Sequence, residues 1–326
     1  MYDDKSLEIL EYHHSILLDK VRTESFLRAI LKTVKPGDVV LDMGCGTGIL
    51  SYFACMAGAR RVYAVEQGPI IAVAKSICKQ NGFQDRVTFI NDWSNKIELP
   101  EKVDVIITET VGNLAFEEGI LGWIIDAKKR FLEKGGQIIP KTLELVIVPV
   151  ESAEYDDYID IWRGEIYNID FSPVLDMMVN NLLWADFSPE QYLSDPVSMI
   201  RVDLQSVENV DFEGQSSFVI TRDGYLNGLG GWFTAELTPG VRVSNAPPLK
   251  TPSWNQVYFP IRERIPLRVG DLLNVEIGSF HNAENWEWKI TTNGSKQGQA
   301  STGQAVKFEH HSDKGILRSK NISQSK

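Results

Sequence analysis

Cysteine is scarce in this chain: three residues in 326, Cys45, Cys55 and Cys78, an odd number with no CxxC pair. That excludes a disulfide framework and a cysteine-based zinc site, and a reducing, cytoplasmic location is expected. His14, His281, His310 and His311 fall at no spacing that would hold a metal, and none is expected. Positive charge is in deficit too, with 33 Lys and Arg against 44 Asp and Glu and a net charge of −11. That field repels nucleic-acid backbones and anionic membranes, so neither is expected as a partner. No apolar run could span a bilayer, and the opening MYDDKSLEIL lacks the apolar centre of a signal peptide. What remains, 43% hydrophobic and 24% charged residues, is ordinary globular composition at a length that suits two domains.

Up to about residue 140 the pattern is α/β. Short β-branched runs at 38–43, 61–66, 86–90 and 103–109 alternate with helix-length segments near 48–58, 69–81 and 117–133, behind amphipathic helices within 5–33. Such alternation predicts βαβ units and a parallel, Rossmann-like sheet covered on both faces. After Pro140 the chain changes. Residues 141–151 read as a strand, 152–195 are acidic, aromatic and helical, and from 197 to 308 short alternating strands meet turn signals such as RDG, TPG and TNG. This half is expected to be a β-barrel-like domain, and residues 309–326 a polar tail.

The strongest local signal is VLDMGCGTG, residues 40–48. A strand ending at Asp42 opens into Gly44, Cys45, Gly46, Thr47 and Gly48, where backbone can lie against a ligand. Ile49 stands where a dinucleotide fingerprint needs its third glycine, which disfavours NAD and FAD. The form GxGxG with an acid closing the next strand suits S-adenosylmethionine. Glu66 is that acid, placed to accept the ribose hydroxyls, with Gln67 beside it. Asp92, Trp93, Ser94 and Asn95 follow the third strand, where adenine is expected. The alternative is a glycine turn that serves packing alone.

Together with HHSILLDKVRT (13–23), TETVGNLAFEEGIL (108–121) and GWFTAEL (231–237), this motif makes the chain resemble the protein arginine methyltransferases over about residues 10–308. The resemblance implies a seven-stranded methyltransferase domain, then a barrel carrying a helical dimerisation arm at about 158–192 that makes a homodimer. It places His13 and Arg22 on the methionine part of the cofactor, and Ile16 beside the acceptor. Two glutamates nine positions apart are the family's double-glutamate loop, which selects Glu109 and Glu118 and leaves Glu117 as a neighbour. The chemistry is sound without the family. A guanidinium is planar, permanently charged and rich in donors, so two facing carboxylates grip it and draw charge away from the nitrogen to be methylated. The arm's aromatic residues could instead cover this chain's own sheet.

Two departures concern the acceptor. The family's Thr-His-Trp loop corresponds here to Pro252, Ser253 and Trp254, and the family histidine pairs with an aspartate matching Asp19. Serine has no titratable group near neutrality, so a proton relay through Asp19 would be broken. Asp3 and Leu7 stand where the family's N-terminal helix carries tyrosines. Asp19 could also be a helix acid paired with Lys20 or Arg22, and Trp254 could pack at the domain boundary. Arginine in a protein or peptide, free arginine or another small guanidino metabolite, and a catalytically inactive interaction module are the three readings carried forward.

Overall fold

The computed structural model describes residues 4–249, 253–292 and 306–312. Tyr2, Asp3, Pro252 and the tail from 313 onward lie outside the described residues. Helix α1, Asp4–Leu18, leads into α2, Lys20–Thr33, and Asp19 between them caps α2 by accepting the Arg22 N–H at 3.0 Å. Helix α2 turns Arg22, Ser25, Phe26, Ala29 and Ile30 inward, the i, i+3, i+4 stripe of an amphipathic helix.

Five strands follow: β1 Val39–Met43, β2 Arg61–Val65, β3 Val87–Ile90, β4 Val103–Thr108 and β5 Leu132–Ile139. They pair in parallel in the order β3-β2-β1-β4-β5. Helices α3 Ile49–Met56, α4 Ile71–Gln80 and α5 Ile120–Arg130 are the crossovers, and every residue of β1 is buried, as a strand covered on both faces requires. The order reverses at β1, so a crevice opens at the carboxyl ends of β1 and β4. Register does the rest. Met43 is level with Val65 on one side and with Thr108 on the other, so the residues that follow, Gly44, Glu66 and Glu109, emerge side by side.

The expected seven strands are five. After Ile139 and Pro140 the next apolar run, β6 at Thr142–Val150, leaves the parallel sheet and pairs antiparallel with Gly224–Thr238 and Val197–Asp203. Gly224–Thr238 pairs in turn with Gln256–Leu267, and Leu183–Ala185 closes that six-stranded sheet while Val241–Ser244 adds a side pairing. A second antiparallel sheet joins Phe212–Val219, Leu272–Phe280, Asn285–Thr292 and Val306–His311, so its last strand runs past residue 308. Trp286, Trp288 and Ile290 alternate inward along Asn285–Thr292.

The arm is mixed where a helical one was expected. One helix, Ala153–Asp160, is followed by a two-residue hairpin (Glu165–Ile166 with Ile169–Asp170), a single helical turn at Leu175–Met178 and the strand Leu183–Ala185. Gly164 and the Tyr167–Asn168 turn, both residues at positive φ, break the helical run. Ion pairs from Arg262 to Asp176 and from Arg264 to Asp156 and Asp160 hold it on the barrel strand Gln256–Leu267.

One apolar core runs through both domains. The segment between β4 and α5 enters it: Leu114, Ala115 and Phe116 are at most 1% exposed, and Phe116 lies 4.4 Å from Phe212 of the barrel between ring centroids. Polar ties add to this. Trp254 Nε1 donates to the Val111 carbonyl at 2.8 Å, Asn245 Nδ2 to the Asn113 carbonyl at 3.0 Å, and the Asn255 N–H to Asn113 Oδ1 at 2.7 Å. Phe116→Ala is expected to lower the unfolding free energy by about 3–5 kcal/mol in urea titrations, as loss of a buried phenyl ring does; a loss below about 1 kcal/mol would show that the barrel does not support this segment.

Candidate active site

The crevice at the ends of β1 and β4 is a cavity of about 610 Å³, enough for a nucleoside-sized molecule and a side chain together. Its lining brings together His13, Ile16, Arg22, Gly44, Cys45, Gly46, Thr47, Glu66, Gln67, Trp93, Ser94, Glu109 and Glu118. The glycine turn is held from two sides. The N–H groups of Gly44 and Cys45 donate to the Val65 carbonyl at 2.9 and 3.0 Å, and the Gly46 N–H donates to Glu66 Oε2 at 3.1 Å. Glu66 Oε1 accepts the Gly68 N–H at 2.6 Å, so each carboxylate oxygen keeps a second lone pair for a ligand hydroxyl. Gly46 is required twice over. Its φ is +52°, and a Cβ there would stand 2.8 Å from His13 Cε1, because the His13 ring lies on the turn. Burial lowers the His13 pKa, which keeps that ring neutral at pH 7.

At the other end of the cavity Arg22 forms an ion pair with Glu109, both side chains under a tenth exposed. Burial pulls the guanidinium down to about 10, still cationic near neutrality, with Tyr12, Asp19 and Glu118 opposing the shift. Arg22 Cζ also sits 4.7 Å from the centre of the Trp254 ring. The other Glu109 oxygen, Oε1, is buried with no hydrogen-bond partner among the described residues. The two neighbouring glutamates part company. Glu117 turns inward, accepts the Leu114 N–H at 2.8 Å and is pushed up to about 7 by burial. Glu118 faces the cavity, its pKa raised by burial and partly offset by Arg22.

Six of the residues expected in the site stand outside its lining. Asp42 is fully buried beneath the turn, accepts the Ser51 hydroxyl at 2.6 Å and serves as a strut, since a strand residue whose side chain points into the core cannot also face the crevice. Gly48 faces the Tyr52 hydroxyl and begins α3, and Asn95 is exposed beyond the loop. Asp19, Ser253 and Trp254 form a layer behind Arg22, where the Ser253 hydroxyl donates to Asp19 Oδ2 at 2.5 Å. The contact between that acid and the barrel loop is therefore present, without a titratable partner. Conversely, Tyr12, Thr110 and Trp123 line the cavity without having been expected there. Tyr12 was legible, since it sits four positions before Ile16 on one helix face. Trp123 was not, because it reaches the site only through the shape of the turn before it.

Among the described residues no three His, Cys, Asp or Glu side chains converge on a metal position, and no helix is long and apolar enough to cross a membrane. The chain resembles known proteins along most of its length. A family model described as "Arginine methyltransferase oligomerization subdomain" matches residues 141–291, and one described as "Ribosomal protein L11 methyltransferase (PrmA)" matches residues 21–140. Protein arginine N-methyltransferase 1 of Chlamydomonas reinhardtii is 32% identical over 282 residues, covering 84% of this chain and 81% of that protein. The protein of the same name from Saccharomyces cerevisiae is 30% identical over 284 residues, with the same coverage of each. A solved structure of the Trypanosoma brucei PRMT1 enzyme–prozyme heterotetrameric complex with AdoHcy superposes with a TM-score of 0.82 at 25% identity, covering 91% of this chain and 97% of that one. Arabidopsis thaliana protein arginine methyltransferase 10 shares the fold, with a TM-score of 0.78 at 23% identity over 93% and 99% of the two chains.

The buried strut beneath the turn has a consequence for pH. Burial raises the Asp42 carboxyl from an ordinary 3.8 to about 7, against the Ser51 hydrogen bond that favours its ionised form. Folding then favours the protonated acid, so this contribution to stability is present in full below pH 3.8 and is lost as pH rises toward 7. Urea midpoints of the unliganded protein between pH 5 and 7.5 are expected to fall less steeply for Asp42→Asn than for the unaltered chain. Identical slopes would show that Asp42 is ionised in the fold throughout that range.

Proposed function

Since the chain belongs to the protein arginine N-methyltransferase family, we propose that it transfers the methyl group of S-adenosylmethionine to a guanidino nitrogen of arginine in a protein or peptide. The observation that carries this reading is the buried, unpartnered Glu109 oxygen in a cavity that Glu118 also lines. A buried carboxylate oxygen left without a donor is costly, and a guanidinium is the side-chain group that supplies donors to two carboxylates at once.

The residues present fit the cofactor. Glu66 has lone pairs to spare for the ribose hydroxyls, the Gly44–Gly46 turn offers close backbone approach beneath His13, and Arg22 is the cation for its carboxylate. Ser94 and Trp93 line the end where adenine belongs. When bound, S-adenosylmethionine supplies an electrophilic methyl group on a sulfonium. Glu109 and Glu118 orient the acceptor and hold its positive charge on the nitrogens they grip, which concentrates lone-pair density on the remaining one. Burial brings the Glu118 carboxyl closer to neutrality, so Glu118 is the group suited to take the proton that the methylated nitrogen releases. Ser253 and Asp19 have a different task. Their bond ties the barrel loop to the cap of α2 and so fixes Arg22.

The working form is a homodimer through the arm, a reading supported by the exposure of Tyr158, Ile161, Tyr167, Ile169 and Trp184 on that segment. A cytoplasmic location suits three buried cysteines without a disulfide.

Incubation with methyl-labelled cofactor, an arginine-rich peptide and free arginine tests the reading. Label is expected in the peptide, whereas label confined to free arginine, or in neither, would contradict it. Glu118→Gln is expected to lower kcat on the peptide by about 100-fold or more while leaving the Kd for S-adenosylhomocysteine within about threefold. Near-normal turnover in that variant would exclude a guanidinium held by Glu118.

A further inference from the structure

Glu118 occupies a backbone conformation that a side-chain-bearing residue rarely adopts, φ +65° and ψ 4°, and Gly119 follows at φ +72°. Such a conformation is strained for a side-chain-bearing residue and persists only where its surroundings hold it. Two side chains do so. The Trp123 indole Nε1 donates to the Glu118 carbonyl at 2.9 Å, reaching back over the first turn of α5. From the barrel, Asn282 Oδ1 accepts the Gly122 N–H at 3.1 Å, and its Nδ2 lies 2.6 Å from where a Cβ at Gly119 would stand. Asn282 is itself fixed in a turn of three successive positive-φ residues, His281 to Ala283, which Asp211 anchors by accepting the His281 N–H at 2.8 Å.

Trp123 faces two ways. Its ring stacks on Trp93, with centroids 5.7 Å apart and planes 27° from parallel, and both indoles line the cavity. Trp93 belongs to the loop after β3, at the adenine end, while Glu118 lies at the acceptor end. One aromatic pair therefore joins the two ends of the cavity.

Resting on the functional reading above, we infer that Trp123 and Asn282 are positioning residues for Glu118, and that the Trp93–Trp123 stack relates the adenine end to the aim of that carboxylate. A donor bond to the Glu118 carbonyl fixes the peptide plane next to its Cα and hence the direction in which the side chain leaves. Without it the strained residue relaxes toward ordinary backbone and the carboxylate moves off the acceptor. The loss then falls on turnover and spares cofactor binding.

Trp123→Phe keeps an aromatic ring beside Trp93 and removes the N–H donor together with part of the indole surface. It is expected to lower kcat on an arginine peptide about tenfold while the Kd for S-adenosylhomocysteine, by calorimetry, moves less than about twofold. Asn282→Ala, remote from the cofactor, is expected to lower kcat about threefold with the same unchanged Kd. The retained Kd also shows that each variant is folded. Turnover within about twofold of the unaltered chain in both variants, or a fall in cofactor affinity in step with kcat, would overturn the inference alone. Absence of turnover by the unaltered chain on every guanidinium acceptor would overturn the functional reading, and this inference with it.

Discussion

A buried arginine facing a buried glutamate sets the terms for everything around it. Arg22 and Glu109 are each under a tenth exposed, and removing two charges from water is repaid only when geometry is good and the remaining donors and acceptors are met. The register of β1 and β4 brings Glu109 to the sheet edge beside Gly44, and the Asp19 cap sets the first turn of α2 so that Arg22 points back at it. The pair satisfies one oxygen of the glutamate and leaves the other buried and open to a second cation. Arg22, with donors in excess, can serve a second anion. A site made of two incompletely satisfied opposite charges is suited to a zwitterionic cofactor and a cationic acceptor together.

This arrangement explains how the barrel bears on the candidate site although none of its residues is in the cavity lining. The segment that carries the glutamates has little regular structure of its own, and its shape is set by Trp254, Asn245 and Asn255 from the barrel and by Phe116 packed on Phe212. Ser253 holds the same loop to Asp19. The first domain presents the cofactor crevice, and the second gives the acid turn its form. Cutting the chain at Pro140 would leave β4 ending in an unsupported loop.

What could be seen in the sequence follows the range of the forces involved. The glycine turn, Glu66 and the alternation of strands and helices are local patterns, and the structure sets them at one sheet edge. Spacing also separated Glu118 from Glu117, which the fold turns in opposite directions. The expectation of seven strands came with the family resemblance, and the fifth parallel strand, Leu132–Ile139, was not legible because charged residues and glycines fill its exposed first half. The arm was read as helical from composition, but Gly164 and the Tyr167–Asn168 turn divide it. Asp42 sits in the motif and serves the core, because the pleat of β1 and not its position in the motif fixes which way it points. Trp123 bonds to Glu118 only five positions away and Asn282 to Gly122 from the distant barrel, both around the left-handed pair Glu118–Gly119, for which no periodicity gives a signal.

The most direct test is a crystal structure of the chain with S-adenosylhomocysteine and an arginine peptide. Arg22 is expected to turn from Glu109 to the carboxylate of the bound product, and the peptide guanidinium to donate to Glu109 and Glu118 at hydrogen-bonding distance. Arg22 still paired with Glu109 above an occupied nucleoside pocket, with the guanidinium bound elsewhere, would contradict this expectation.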